Sequence, residues 1–253
     1  MTQSQIRLYG IALSHPVLAV RGMVEHKSLV YRYTELLAGA HPPALWALGF
    51  RGSTVPAVRL PDGRRVQRSR EIARALELLA PRPSLYPTAP DARAAAERAE
   101  AWGESVLQPI PRRLIRWGLR RHLAQRRWFA DVASPLPAPD VVGALMGPIV
   151  ALFAHRSGAD DQQVRADLIA LPSLLDEVDG LIGSGVLDGD ELGAADYQIG
   201  SSIRVLLAMQ DVGRLVAGRP AERFAVRVVS DYPAVPAVFP ANWVPQPALG
   251  SAV

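Results

Sequence analysis

APRPSLYPTAP, at residues 80–90, divides the chain into two parts of different character. The segment holds four prolines in eleven residues. Proline fixes φ and removes a backbone donor, so no regular helix or strand fits there. We therefore place a first domain at residues 1–80, a linker at 81–90 and a second domain at 91–253.

Upstream of the linker, short apolar strands alternate with helical patterns. The predicted strands lie at residues 6–11, 28–34, 55–60 and 64–66. The predicted helices lie at residues 16–27, 41–50 and 69–79. Asp62-Gly63 joins the last two strands, because this pair favours a tight hairpin turn, and Ser69 is a suitable cap for the last helix. The order β-α-β-α-β-β-α predicts an α/β domain.

Downstream of the linker only helical periodicity is visible. The predicted helices lie at residues 91–107, 112–130, 164–182 and 194–216. In the second, Ile115, Leu119 and Leu123 recur every four residues and form the predicted apolar face. The tail from Asp231 carries five prolines before Ala248, so we expect it to wrap over the fold without regular structure. The fold class is therefore α/β followed by a helical bundle.

Composition excludes several function classes. Hydrophobic residues make up 49% and charged residues 21% of the chain, as in folded globular proteins. The absence of cysteine excludes disulfides, cysteine metal sites and thiol-disulfide chemistry by the protein itself. The five histidines lack paired ligand spacing, so we expect no metal. No secretory signal is visible, and the longest apolar stretch, residues 141–154, is too short to span a bilayer. We expect a cytoplasmic protein without membrane contact.

Charge is unevenly distributed. Seven arginines and no acids lie at residues 105–130, whereas residues 159–196 hold ten acids and one arginine. The two segments can complement each other within the fold or across a dimer. The first interpretation of the arginines is a solvated helix face or a dimer contact, and an anionic cosubstrate is the alternative. Because no groove-reading or base-stacking module accompanies them, we expect no nucleic acid.

Leu13-Ser14-His15-Pro16 lies between the first strand and the first helix. A serine there caps a helix, but its hydroxyl can also donate to an anion that the helix N-terminus attracts. A thiolate is such an anion. Ser14 is therefore either a capping residue or a donor to a bound thiolate.

Three local patterns together resemble the cytosolic glutathione S-transferase family with a serine-type active site. The first is Ser14 at its helix start. The second is Val55-Pro56, where the family has a cis proline and the preceding backbone pairs with the peptide-like ligand. The third is Arg68-Ser69, where the family's serine holds the γ-glutamyl carboxylate at a helix N-terminus. Arg68 departs from the usual Glu or Gln.

The resemblance implies a thioredoxin-like domain followed by an all-helical domain. It also implies a thiol-binding set in which His41 contacts the glycine carboxylate of glutathione. That set comprises His15, His41, Val55, Pro56, Arg68 and Ser69. His15 is alternatively a partly exposed residue of the first helical turn without a catalytic duty. The bound thiol would be glutathione or, given Arg68, another small thiol.

The implied activity is attack of a bound thiolate, activated by Ser14, on a small hydrophobic electrophile. A free thiol has a pKa near ~8.5, so a donor and a helix N-terminus are needed to favour its anion. The candidate electrophile pocket, or alternatively ordinary core, comprises Trp102, Val106, Ile110 and Trp117. The resemblance further implies a homodimer with a role in detoxification. The alternative function is a non-catalytic binding or scaffold protein with the same fold.

The loop at residues 187–196 resembles the family's entry into its core helix. The family commonly has Ser or Thr where Gly193 stands, as one half of a capping box. Asp196 can still reach back to backbone N–H groups. We therefore predict that Asp196 is structural.

Overall fold

A computed structural model describes residues 5–134 and 136–246. Its sheet has four strands: β1 (Ile6–Gly10), β2 (Tyr31–Glu35), β3 (Ala57–Arg59) and β4 (Arg65–Gln67). They lie in the order β2-β1-β3-β4, with β1 parallel to β2 and antiparallel to β3, and with β3 antiparallel to β4. The helices of this half are α1 (His15–His26), α2 (His41–Ala47) and α3 (Ser69–Leu79). The predicted α/β order is confirmed.

Two of the predicted strands begin two or three residues later than their apolar patterns. β2 starts at Tyr31 rather than residue 28, because Ser28 has a left-handed φ of 51° and Leu29 N–H bonds back to Val24 as α1 ends. β3 starts at Ala57 because Pro56, which follows a cis peptide bond, has no N–H for the sheet. The helix predicted at residues 69–79 is confirmed, but Ser69 is its first residue and not its cap, because Arg68 occupies the N-cap position.

The described part of the second half is helical, as predicted. Its α-helices are α4 (Pro90–Trp102), α5 (Pro109–Arg121), α6 (Leu123–Ala133), α7 (Pro139–Leu145), α8 (Gly147–Arg156), α9 (Asp161–Gly183), α10 (Ala194–Ala208) and α11 (Pro220–Val228). A π-helical turn at Gly103–Leu107 joins α4 to α5, and a 3-10 turn lies at Gly213–Leu215. None of the described helices is long and apolar enough to cross a membrane.

The prediction of one helix at residues 112–130 is wrong. His122 is extended, with φ −120° and ψ 116°, and separates α5 from α6. The predicted apolar face is correct for Leu119, which is buried, and for Ile115, which packs against the helical core, but Leu123 is exposed. Leu114 and Trp117, which the pattern did not identify, are also buried in that core. The helix predicted at 194–216 ends early, because extended Met209 bridges to Val235 of the tail. The sequence patterns also missed α7, α8 and α11.

The arginine-rich and acid-rich segments meet within the fold. Arg113 of α5 holds Asp167 of α9 through two hydrogen bonds of 2.6 and 2.7 Å. Arg121 lies 2.6 Å from Asp161. Arg113 points toward α9 and pairs with a buried carboxylate. The interpretation of the arginines as a solvated helix face is therefore wrong for Arg113.

The two halves share a tight contact that fixes the start of α1. α1 packs against α10, and Ala194 and Tyr197 of α10 belong to the same buried cluster as the sheet and α1. From the linker, Leu85 and Tyr86 are buried in that cluster too. The N-terminus of α1 also lies against α10, because His15 Nδ1 is 3.0 Å from the Ser202 hydroxyl.

We expect Gly193→Ser to destabilise the protein, although it would complete the family's capping box. A Cβ at residue 193 would lie 2.8 Å from the carbonyl oxygen of Leu85, and such overpacking costs about 1–3 kcal/mol. The gain from a serine cap over glycine is only a few tenths of a kcal/mol. Urea denaturation would measure the difference. Gly189→Ser is the matched control, since its Cβ would meet only a backbone oxygen 3.9 Å away. Equal stability of both variants would contradict the prediction.

Candidate functional site

A cavity of about 530 Å³ lies where the first half meets α5, α6 and α8. The first half contributes the N-termini of α1 and α3, the start of α2 and the loop before β3. All seven residues predicted for the thiol and its activation line this cavity: Ser14, His15, His41, Val55, Pro56, Arg68 and Ser69. The structure thus brings together segments that are up to 55 residues apart in the sequence.

Ser14 is the N-cap residue of α1, but its hydroxyl does not cap the helix. The hydroxyl makes no hydrogen bond to any described residue. Its carbonyl oxygen instead accepts from the N–H groups of Val17 and Leu18 at 2.9 and 3.0 Å, and Pro16 has no N–H. The Ser14 hydroxyl is therefore available to a ligand at the positive end of α1.

The residue before Ser14 adopts a conformation that side chains rarely take. Leu13 has a φ of 59°, a left-handed conformation that costs about 1–2 kcal/mol for a non-glycine residue. The Tyr232 hydroxyl, from the C-terminal tail, donates to the Leu13 carbonyl at 2.9 Å. The tail thus wraps onto the fold as predicted, and Tyr232 is a cavity residue that the sequence patterns did not identify.

His15 is buried, with 6% of its surface exposed, so the interpretation as a partly exposed residue is wrong. Its Nδ1 lies 3.0 Å from the Ser202 hydroxyl, which donates to the Gln198 carbonyl at 3.0 Å. Nδ1 must therefore carry the proton, because Ser202 can only accept from it. Nε2 is buried and unprotonated, without a partner among the described residues.

Burial and, to a smaller degree, the charges of Arg112 and Arg116 hold the pKa of His15 well below its ordinary value of 6.5. Unfolded His15 binds a proton below that pH and native His15 does not. Its contribution to stability is therefore present above about pH 6.5 and is lost as the pH falls.

We expect His15→Asn to flatten the acid side of the stability profile. Between pH 7.5 and 5.5 the wild-type protein should lose about 1 kcal/mol more than the variant, since a full proton corresponds to ~1.4 kcal/mol per pH unit. Asparagine is chosen because its side-chain amide keeps an N–H donor for the Ser202 hydroxyl. His155→Asn, at an exposed histidine, is the control and should leave the profile unchanged. Parallel profiles for wild type and His15→Asn would show that His15 is protonated in the native state.

His41 is the first residue of α2 and is also buried. Its Nδ1 accepts from the Gly39 N–H at 3.3 Å, so the proton resides on Nε2. Its ring stacks on Phe153 of α8 at a centroid distance of 5.5 Å. Burial first and Arg116 second lower the pKa of His41. His41 is therefore a neutral donor at the cavity wall.

Two further segments offer backbone and hydroxyl groups to the cavity. The peptide bond between Val55 and Pro56 is cis. Neither the N–H nor the carbonyl of Val55 bonds to another described residue. The Ser69 hydroxyl, in the first turn of α3, also lacks a partner in the described chain. These groups can bind an extended peptide and a carboxylate.

Arg68 does not present an uncompensated charge. Its guanidinium lies 3.3 Å from Glu104 of the π-helical turn, and Glu104 also contacts Arg70 at 3.4 Å. Arg68 has a φ of 72°, a further left-handed residue at this cavity. Glu104 lines the cavity beside Arg68. Sequence patterns missed Glu104, because its role depends on a pairing over 36 residues.

The structure corrects the predicted electrophile pocket, because none of its four residues lines the cavity. Ile110 and Trp117 are buried in the helical core, and Trp117 donates to Asp161 at 2.8 Å. Trp102 packs against the same core, and Val106 is 40% exposed. The wall is formed instead by neighbouring residues of α5 and by α6 and α8, including Ile115, Trp128, Phe129, Ile149 and Phe153.

Arg112 and Arg116 of α5 also line the cavity and are half-buried. They lie one helical turn apart, on a face predicted to be solvated. Within the described chain, no three His, Cys, Asp or Glu side chains cluster in a way that would hold a metal ion.

Residues 14–79 match the family model described as glutathione S-transferase, N-terminal domain. No curated protein matches the sequence of the chain. Among solved structures, glutathione transferase F7 from Populus trichocarpa is 18% identical, covers 91% of this chain and 95% of its own, and has a TM-score of 0.61. A glutathione S-transferase from Rhodospirillum rubrum F11 is 20% identical, with 90% and 89% coverage and a TM-score of 0.57.

A glutathione transferase homologue from Sulfitobacter, solved with bound glutathione, is 17% identical, with 92% and 95% coverage and a TM-score of 0.51. These structural matches extend over both halves of the chain and show the shared fold. Residues 14–79 thus match the N-terminal domain of glutathione S-transferases, and the chain as a whole shares the two-domain fold of these structures.

Proposed function

We propose that the chain binds glutathione or another small thiol in this cavity and activates it as a thiolate for attack on a small electrophile. The observation that carries the proposal is the Ser14 hydroxyl, which lies at the N-terminus of α1 without a partner among the described residues. A hydroxyl and a helix N-terminus both favour an anion over a thiol. The Sulfitobacter homologue's bound glutathione supports the choice of thiol.

The remaining predicted residues complete a peptide-shaped site. Val55 offers backbone groups to the peptide bond, the Ser69 hydroxyl and N–H donate to a carboxylate, and His41 donates from Nε2 to a second carboxylate. Because Glu104 holds Arg68 by an ion pair, the departure at Arg68 is compatible with glutathione.

Calorimetric titration with glutathione, and with cysteine as a smaller thiol, tests binding. We expect Ser69→Ala to weaken glutathione binding at least tenfold, because hydrogen bonds to charged groups contribute about 1.5–3 kcal/mol. Ser184→Ala, at an exposed serine on the end of α9, is the control and should bind normally. Absence of binding by every thiol would contradict the proposal.

Turnover of aryl halides by the wild-type protein then tests activation. Thiol binding without turnover would favour the alternative, a non-catalytic binding protein with this fold. A homodimer acting in cytoplasmic detoxification belongs to the same proposal and follows from the family resemblance. Sedimentation of the full chain would test its oligomeric state.

A further inference from the structure

Two arginines of α5 face the cavity without an acidic partner. Arg112 donates to the Gln108 side-chain oxygen at 2.9 Å. Arg116 lies 3.5 Å from the Phe153 carbonyl oxygen, with its guanidinium carbon 5.5 Å from the Phe153 ring. Neither forms an ion pair with any acid of the described chain. Removing a charge from water costs free energy unless an opposite charge lies close to it. Both guanidiniums therefore lack a counter-charge that would offset this cost.

The other ionisable groups of the cavity do not neutralise the two arginines. The charge of Glu104 acts on Arg112, but the two side chains form no ion pair. Glu104 is already held by Arg68 and Arg70. His15 and His41 are neutral, for the reasons given above. Burial and then Arg112 lower the pKa of Arg116 to about 10, so Arg116 remains charged at neutral pH. The cavity thus retains an uncompensated positive charge on the α5 side.

The surroundings of the two arginines are apolar. Ile115 lies between them in the sequence, and Trp128 and Phe129 of α6 and Ile149 and Phe153 of α8 line the same wall. The groups that suit a tripeptide, at Ser14, Val55 and Ser69, belong to the first half of the chain. The arginine side of the cavity therefore suits a ligand with an apolar body and an anionic group.

We propose that Arg112 and Arg116 bind an oxyanion of the second substrate, so that the preferred electrophiles carry a carboxylate or similar group on an apolar body. This inference rests on the proposed thiol transfer. When an aryl chloride is the electrophile, the thiolate sulfur forms a bond to the aryl carbon and the carbon–chlorine bond breaks. Chloride leaves with the electron pair, and the thiol proton passes to solvent. The arginines hold the carboxylate and do not touch the reacting carbon.

A matched pair of electrophiles tests the assignment: 4-chloro-3-nitrobenzoate and its methyl ester, each with glutathione. We expect Arg112→Gln and Arg116→Gln to lower kcat/KM for the benzoate at least tenfold and for the ester less than threefold. In Arg116→Lys the loss of kcat/KM for the benzoate should be smaller than in Arg116→Gln, because lysine keeps the positive charge but lacks the planar guanidinium that binds a carboxylate through two donors. Arg120→Gln, at an exposed arginine of the same helix, is the control. Equal losses for both electrophiles would overturn the proposal.

Direct binding separates this proposal from the proposed function. Calorimetric titration with 3-nitrobenzoate alone, without any thiol, should show binding that weakens at least tenfold in Arg116→Gln and falls with added salt. That result would support the anion subsite even if no electrophile were turned over. Absence of benzoate binding by the wild-type protein would overturn it. So would weakened glutathione binding with unchanged benzoate binding, since the arginines would then hold the thiol's own carboxylate.

Discussion

Ser14→Ala is expected to lower kcat/KM for thiol conjugation about a hundredfold, while the melting temperature stays within a degree or two of wild type. Removing one preorganised donor from an oxyanion typically costs about 10²–10³ in rate. We expect the lower end of this range because the N-terminus of α1 remains in the variant and still favours the anion. Stability should be retained because the Ser14 hydroxyl makes no hydrogen bond to the described protein.

The pH dependence identifies the cause of that loss. If Ser14 stabilises the thiolate, the pKa of bound glutathione lies below the ordinary thiol value of ~8.5 in the wild type and moves back toward it in Ser14→Ala. The thiolate's ultraviolet absorbance, followed against pH in the binary complex, measures this shift directly. Ser184→Ala is the control. An unchanged rate and an unchanged thiol pKa would remove Ser14 from the mechanism.

The residues in the first half of the site were predicted through the resemblance to the glutathione S-transferase family, and the motifs that carry it are local. Ser14 and Ser69 stand at helix starts, and Val55-Pro56 precedes a strand. Such positions are marked by residues with special backbone or capping properties. The sheet order then places these segments at one cavity.

For the second half of the site the sequence offered the anionic cosubstrate only as an alternative interpretation of the arginines, because the arrangement depends on contacts between distant segments. Arg112 and Arg116 belong to a charged helix, and periodicity alone assigns such a face to solvent. Leu114 and Trp117 are turned into the helical core with the apolar stripe of α9, which orients α5 and leaves those arginines at the cavity. Likewise, His15 contacts Ser202 of α10, which is 187 residues away in the sequence, so its burial is not visible in the local pattern.

Asp196→Ala is expected to destabilise the protein by about 3 kcal/mol. Its carboxylate is 5% exposed and accepts two backbone N–H groups at 2.7 Å each, from Gly193 and from Asp188. The Gly193 contact confirms the predicted structural role, and the Asp188 contact was not foreseen. An unsatisfied buried N–H costs about 1–3 kcal/mol, and alanine would leave two. Urea denaturation of the variant and wild type measures the difference.

Asp190→Ala separates this effect from a general sensitivity of the loop. The Asp190 side chain is exposed in the same segment, so its removal should change stability by no more than about 0.5 kcal/mol. Asp196→Asn should fall between the two, because its amide oxygen satisfies only one of the N–H groups. Hydrogen exchange locates the damage: in Asp196→Ala the amides of Gly193 and Asp188 should exchange faster, and in Asp190→Ala they should not. If exchange at both amides were unchanged in Asp196→Ala, the stability loss would come from packing and not from these two bonds.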